Sequence, residues 1–285
     1  MFSANEIVTA THDALIMAST TFRPDQMAAY KGAYEKETNP KSKWVLEQII
    51  KDAEVGAVKK LPLCDDTGIP HVYVRLGEET EVTGSFLNSI VKGVAAGLRD
   101  LPARPMAVKG EGLDRLGQAL GMYDDPGMLE AAPISVVPTE GKKIDITVLM
   151  LGGGPEIRGK TYRVFHRHNG KSVIEEAGKW AAQEVAALGC TPTVPCIGIG
   201  RTHYEASHMM LQGMAEADFT KQSEEEQMVT EIVNKTNVGS LGLGGDITAL
   251  ASFVKIGPAR ASGVRIVSLR VACCFDPRRA TVTLD

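Results

Sequence analysis

Apolar residues recur at helical spacing through the first sixty positions. Ile7, Ala10, Ala14 and Met17 form one stripe, and Pro24 opens a second helical segment after Thr20-Thr21-Phe22-Arg23. Asn39-Pro40 breaks the pattern. A third helix then carries Leu46, Ile50 and Ala53 on one side and ends before Leu61-Pro62. Beyond it, His71, Tyr73 and Arg75 alternate with Val72, Val74 and Leu76, the period of a half-buried strand. Thr83 is placed to cap a helix whose apolar side holds Phe86, Ile90, Val94 and Leu98. Residues 99–126, rich in Pro, Gly and charge, read as irregular, and loops of that length are often functional. Strands are expected at 134–137, 144–151 and 161–165, the first two separated by the turn Thr139-Glu140-Gly141. His166 and His168 share a face if the third of these continues. The clearest helix spans 171–188, with Val173, Ala177, Trp180, Ala181 and Val185 apolar and Gly189 at its C′ position. A buried strand at 196–200, helices at 206–217 and 224–235, and strands at 264–273 and 281–284 complete the pattern.

This order predicts a mixed α/β fold of the α+β kind. A helical N-terminal scaffold (1–60) packs with a mostly antiparallel sheet in 61–285, and the whole reads as one domain, 1–285. The 285 residues carry 31 Lys and Arg against 35 Asp and Glu, a net charge of −4 with no basic cluster. That balance argues against nucleic acid or an anionic membrane as the main partner. No apolar run reaches the length of a membrane span. Met1-Phe2-Ser3-Ala4-Asn5-Glu6 has neither the basic start nor the apolar core of a signal peptide, so a cytoplasmic protein is expected.

Five cysteines, an odd number without a CxxC pair, argue against disulfide staples and a zinc knuckle. Leu63-Cys64-Asp65-Asp66-Thr67-Gly68 places a thiol, two carboxylates and a hydroxyl on one turn. It reads either as a metal ligand beside proton-transfer groups or as a buried thiol before an Asx-type turn. Gly152-Gly153-Gly154 follows a strand, where bare backbone N–H groups can approach an anion or simply form a bulge. It is not a nucleotide fingerprint. Gly239, Gly242, Gly244 and Gly245 make a second glycine-rich loop. Arg104 is the cation to watch in the long loop, against the plainer reading of a solvated arginine. Cys190 lies just past a helix end beside Pro192, and Cys274 at a strand end before Pro277; Cys196 reads as core. Thiols from three distant stretches, Cys64, Cys190 and Cys274, suit a cubane iron–sulfur cluster lacking one protein ligand, whose open iron acts as a Lewis acid. Such chemistry needs a base and cations for carboxylates, and Asp66 and Arg104 are available.

The Cys64–Gly68 turn resembles the C-Q-D-T-G motif of class I fumarases and L-tartrate dehydratase alpha subunits. Cys190-Thr191-Pro192 with Gly198-Ile199-Gly200-Arg201-Thr202 resembles that family's A-C-P-P…G-x-G-I-G-G-T segment. Leu241-Gly242-Leu243-Gly244-Gly245 is similar to its G-P-Q-G-L-G-G run, and Cys274-Phe275-Asp276-Pro277-Arg278-Arg279 to its C-W-A-x-R-R ending. The motifs stand in family order. The resemblance implies a [4Fe-4S] cluster on Cys64, Cys190 and Cys274 and reversible hydration of a small dicarboxylate such as fumarate, malate or tartrate. Asp66, Thr67 and Arg104 would be catalytic, and Asp65, Gly152, Gly153, Gly154 and Arg201 would contact substrate. It also implies a beta subunit and a homo- or hetero-oligomer. Three departures stand out. Asp65 replaces a Gln, Gly154-Pro155-Glu156-Ile157 lacks the family's Ser-Glu-Asn, and Ala259-Arg260-Ala261-Ser262 stands where a His-Pro is usual. The last two motivate a second reading, a homologue that keeps the cluster as a non-catalytic or redox-sensing group.

Overall fold

A computed structural model describes residues 2–102 and 104–285. Its elements begin with α1 (Ala4–Thr20), α2 (Pro24–Lys36), α3 (Pro40–Lys59), β1 (Ile69–Gly77), α4 (Phe86–Asp100) and the short α5 (Gly112–Leu116). Then come β2 (Ser135–Thr139), β3 (Ile144–Leu151), the one-turn α6 (Gly153–Glu156), β4 (Lys160–Phe165) and α7 (Gly170–Val185). The chain closes with β5 (Val194–Gly200), α8 (His203–Glu216), α9 (Glu224–Asn234), β6 (Phe253–Ile256), β7 (Val264–Ala272) and β8 (Arg278–Leu284). It divides into two compact units. One comprises Met1–Phe22, Ala53–Gly152 and Arg278–Asp285; the other comprises Arg23–Asp52 and Gly153–Pro277. The fold is mixed α/β, as the sequence pattern predicts.

The first unit is built on a four-stranded sheet in the order β2-β1-β3-β8, antiparallel except for the β1–β2 pair. Side chains two apart on a strand share a face, so Ile144, Ile146, Val148 and Met150 join Val72 and Val74 in one apolar layer. Onto it pack Ile7, Ala14, Leu15 and Ala18 of α1 and Ile90, Val94 and Leu98 of α4. Ser3 starts α1 through a capping box with Glu6. Met17 of the predicted stripe is instead exposed, and Leu15 takes the buried place. The predicted Thr83 cap does not form: its hydroxyl pairs with that of Ser85, and α4 begins without a side-chain cap.

His12 on α1 bonds the carboxylates of Asp13 at 2.8 Å and, across on α4, Asp100 at 2.9 Å. Partial burial pulls its pKa down, but the hydrogen bonds to Asp13 and Asp100 outweigh it, and the net shift is upward. A folded-state pKa above the unfolded one means that this contribution is complete below the unfolded value. It is lost as pH rises through the folded value. Chemical denaturation of wild type and His12→Gln between pH 5 and 9 should therefore show a stability gap that closes with rising pH.

The second unit carries a sheet in the order β4-β7-β5-β6, again antiparallel except for one pair, β5–β6. Val173, Ile174, Ala177, Ala181 and Val185 of α7 and Val229 and Val233 of α9 pack against Ile197, Ile199, Val267, Leu269 and Val271. The other face of β5 meets α8. Cys196 is wholly buried there, in agreement with its reading as core. At Gly198 the approach is so close that a Cβ would fall 2.0 Å from the Ala206 carbonyl oxygen and 2.3 Å from the Met210 nitrogen. Both are helix backbone and cannot swing aside. Gly198→Ala is expected to destabilise the protein by about 1–3 kcal/mol, read as a lowered urea midpoint.

Beyond β4 the strand stops at Phe165. Arg167 and His168 both take left-handed backbone angles, so His166 and His168 meet across a turn rather than along a strand face. The described residues of 99–126 are largely irregular, but they contain α5 and an isolated bridge between Val108 and Met122.

Candidate active site

Within the first unit, the Cys64 turn is fastened at its start. The Leu63 N–H donates to the Ser19 carbonyl at 2.9 Å, and the Leu63 side chain is buried. Cys64 is half-buried and Asp65 exposed. The carboxylate of Asp66 accepts the Gly68 N–H through Oδ1 at 3.0 Å, which is an Asx-type turn. Its Oδ2 lies 3.0 Å from the point a Cβ on Gly152 would occupy, so only glycine fits there without displacing the carboxylate. The Asx-type turn of the plainer reading forms, but its thiol is half-buried rather than buried; one Asp66 oxygen closes the turn and the other faces the end of β3. Buried Arg278, at the start of β8, donates to the Asp66 carbonyl at 2.7 Å. Thr67 is buried, and its hydroxyl donates at 3.3 Å to the carbonyl of Arg104, a residue that is itself exposed. This unit thus gathers Asp66, Thr67, Gly152, Arg278 and the Arg104 backbone around one turn. Sequence reasoning named Arg278 only as part of a matching motif; its link to Asp66, 212 positions away, leaves no periodic trace.

Within the second unit, Cys190 follows Gly189, whose φ is +83°; α7 ends sooner than expected, at Val185 with Ala186 as its C-cap, so Gly189 lies past the C′ position, after a turn at 186–188. Cys190 is exposed and Cys274 buried, and the Cys274 N–H donates to the Cys190 carbonyl at 2.9 Å. The two thiol-bearing segments, 84 positions apart, are therefore backbone neighbours. Tyr30 is fully buried on α2 and donates its hydroxyl to the Cys274 carbonyl. Burial, and then the proximity of Cys274, Cys273 and Asp276, pushes that phenol well above its ordinary pKa, so it stays a neutral donor. The glycine-rich loop wraps the neighbour of Cys190. The Leu241 N–H donates to the Thr191 carbonyl at 3.1 Å, and the Thr191 hydroxyl donates to the Gly239 carbonyl. Arg270, almost wholly buried, pairs with Asp276 at 3.2 Å and also with Glu156 just past the Gly152–Gly154 triplet. Gly153 and Gly154 open the one-turn α6.

Arg201 stands before α8 and is fixed by Glu205, guanidinium to carboxylate at 2.6 Å. Hydrogen bonding to Arg201 lowers the Glu205 pKa and raises that of Arg201 in turn. An anionic ligand would meet this arginine only in competition with Glu205. All five cysteines are thiols. Among the described residues, no three His, Cys, Asp or Glu side chains converge as they would round a single metal ion. A separate cavity of about 620 Å³ opens beside the N-terminus of α7, lined in part by His168, Lys171, Ile199, Met228 and Arg265; Cys190 and Cys274 are not among its walls.

A family model described as fumarate hydratase (Fumerase) matches residues 8–283. The chain belongs to the fumarate hydratase family. A Methanocaldococcus jannaschii protein provisionally named L(+)-tartrate dehydratase subunit alpha is 28% identical over 264 residues, covering 88% of this chain and 87% of that one. A Geobacillus stearothermophilus protein provisionally named class I fumarate hydratase is 22% identical over 258 residues, 84% of this chain. The chain spans about half of that second relative, 48% of its length. Membership of the fumarate hydratase family makes the protein a hydro-lyase. Among the described residues, no helix is long and apolar enough to cross a membrane.

Proposed function

We propose that this chain is the alpha part of a [4Fe-4S]-dependent hydro-lyase that hydrates and dehydrates a small dicarboxylate or hydroxydicarboxylate. The observation that carries the reading is the family match over residues 8–283, with thiols at the three motif positions. Cys64, Cys190 and Cys274 would hold the cluster. The donor set suits it: thiolates are the ligands such clusters take, and Cys190 and Cys274 are already held side by side. A cubane binds one thiolate per iron, so its ligands stand apart rather than converge on one atom. Once bound, the group would supply a Lewis-acid iron that polarises a substrate hydroxyl or carboxylate.

The chain's own residues divide the remaining work. Asp66, with one oxygen committed to Gly68 and the other directed toward Gly152, is suited to move the proton on the carbon next to a carboxylate. Thr67 positions the Arg104 segment, and Arg104 would bind a substrate carboxylate. Asp65, Arg201 and the backbone of Gly152, Gly153 and Gly154 would line the rest of the anion site. One relative is named a subunit alpha, and another is about twice the length of the matched region. Both support a separate beta-type chain that completes the site, and we place the two chains in a larger oligomer in a reducing cytoplasm.

Anaerobic reconstitution with iron and sulfide tests this reading. We expect about four irons and four sulfides per folded chain, brown colour that bleaches in air, and little turnover of fumarate, malate or tartrate until a beta-type partner is added. A folded chain that binds no iron overturns it.

A further inference from the structure

We infer that α2 and the corner joining it to α3 form a clamp that fixes the spacing of the Cys190 and Cys274 thiols, with Tyr30 and Glu37 as its positioning residues. The inference rests on the reading above only in giving those thiols a cofactor to hold. This one short stretch grips the Cys274 segment directly and the Cys190 segment through the glycine-rich loop. At the Cys274 end, Tyr30 donates to the Cys274 carbonyl and Gln26 to the Phe275 carbonyl at 3.2 Å. At the other end, the Glu37 carboxylate is 1% exposed, and its oxygens are spent on backbone N–H groups. Oε1 accepts from Asn39 at 2.8 Å and Asp246 at 3.1 Å, and Oε2 accepts from Ile247 at 2.9 Å. Ser42 adds a bond to the Gly244 carbonyl and accepts the Ser240 N–H at 3.1 Å. Thr38 donates to the Asp246 carboxylate through both its N–H and its hydroxyl. The loop so held is the one that grips Thr191, the residue after Cys190.

A buried carboxylate is a costly way to build a corner. Neutral side chains can end one helix and begin the next without its desolvation. Here the charge reaches two consecutive amides of a loop about 210 positions away, where a Cβ on Gly245 would lie 2.7 Å from both carboxylate oxygens. Charge-assisted bonds of this kind are short and directional, which suits holding a flexible glycine-rich loop in one shape. Tyr30 does the same for the Cys274 turn through a hydroxyl on a ring that is otherwise core.

The test compares Tyr30→Phe and Glu37→Gln with wild type. Ile174→Ala, a core truncation on α7, serves as a control for lost stability. Two readouts report thiol spacing. In cluster-free, reduced full-length protein, dibromobimane bridges nearby thiol pairs, and mass spectrometry counts the Cys190–Cys274 linked peptide. In reconstituted protein, the rate of iron release to a chelator and the electron-paramagnetic-resonance line shape report how the cluster is held. We expect both positioning variants to lose the linked peptide and to release iron faster, each by about ten-fold, the scale set by breaking a hydrogen bond to a charged or buried group. Ile174→Ala, despite its lower thermal midpoint, should match wild type in both. Unchanged linkage and iron release in both variants overturn the clamp, as does a control that behaves like them. If wild type binds no iron yet linkage still falls in the variants, the clamp stands and the cluster reading fails.

Discussion

Asp66→Asn is expected to lower kcat by about 10²- to 10⁴-fold, the usual worth of a positioned general base, with KM and iron content close to wild type. The substitution is chosen for what it spares. An asparagine carbonyl can still accept the Gly68 N–H that closes the turn, and the backbone carbonyl that Arg278 holds is untouched. The loop should therefore keep its shape while the side chain can no longer take a proton. Asp66→Ala differs, because it opens the turn as well and should also disturb cluster binding. Steady-state kinetics of the reconstituted enzyme with its partner chain, alongside iron analysis, separate the two. Turnover within about three-fold of wild type in Asp66→Asn, a factor small beside a general base's worth, would remove this residue from proton transfer.

Arg270→Met should have the largest effect on stability. Arg270 is 1% exposed and Asp276 fully buried, with 3.2 Å between Nη2 and Oδ2. Removing one partner of such a pair leaves the other's charge in a low-dielectric setting without it, at a cost of about 3–5 kcal/mol. Replacing both, as in Arg270→Met with Asp276→Asn, should recover much of that loss, since the pair's own attraction largely offsets its desolvation. Urea denaturation of the two variants decides the point. A single variant within 1 kcal/mol of wild type, the range of an exposed pair, would mean that the carboxylate is otherwise compensated. The pair's location gives it wider reach, because Asp276 lies two residues past Cys274 and Arg270 also touches Glu156 beside the glycine triplet.

Elements with strong periodicity were legible from the chain alone. The strand at 144–151 and the helix after Asn169 formed nearly where the pattern put them, because each buries a face whose period local sequence displays. What escaped was set by distant partners. β6 is four residues long and exists because it lies parallel to β5, a pairing that no local run announces. Nothing in the local sequence sets Glu37 apart, because its bonds to the glycine-rich loop come from about 210 positions away. Tyr30 likewise looked like scaffold. At the site, the Cys64–Gly68 turn was readable because its chemistry is contiguous. Its contacts with Gly152 and Arg278 were not, since they join three separated stretches. The charge of Arg201 is legible in the sequence, but its pairing with Glu205 is not.

The interleaving of the two units fixes an order of completion during synthesis. Every residue of the second unit has been made by Pro277, whereas the first still awaits β8, the strand that pairs with β3 along seven positions. A nascent chain can therefore finish the Cys190–Cys274 unit while the first unit's sheet is left with a bare edge along β3 until β8 leaves the ribosome. Loss of β8 would leave that sheet unfinished, and the harm would fall on the unit whose other residues all precede Gly153.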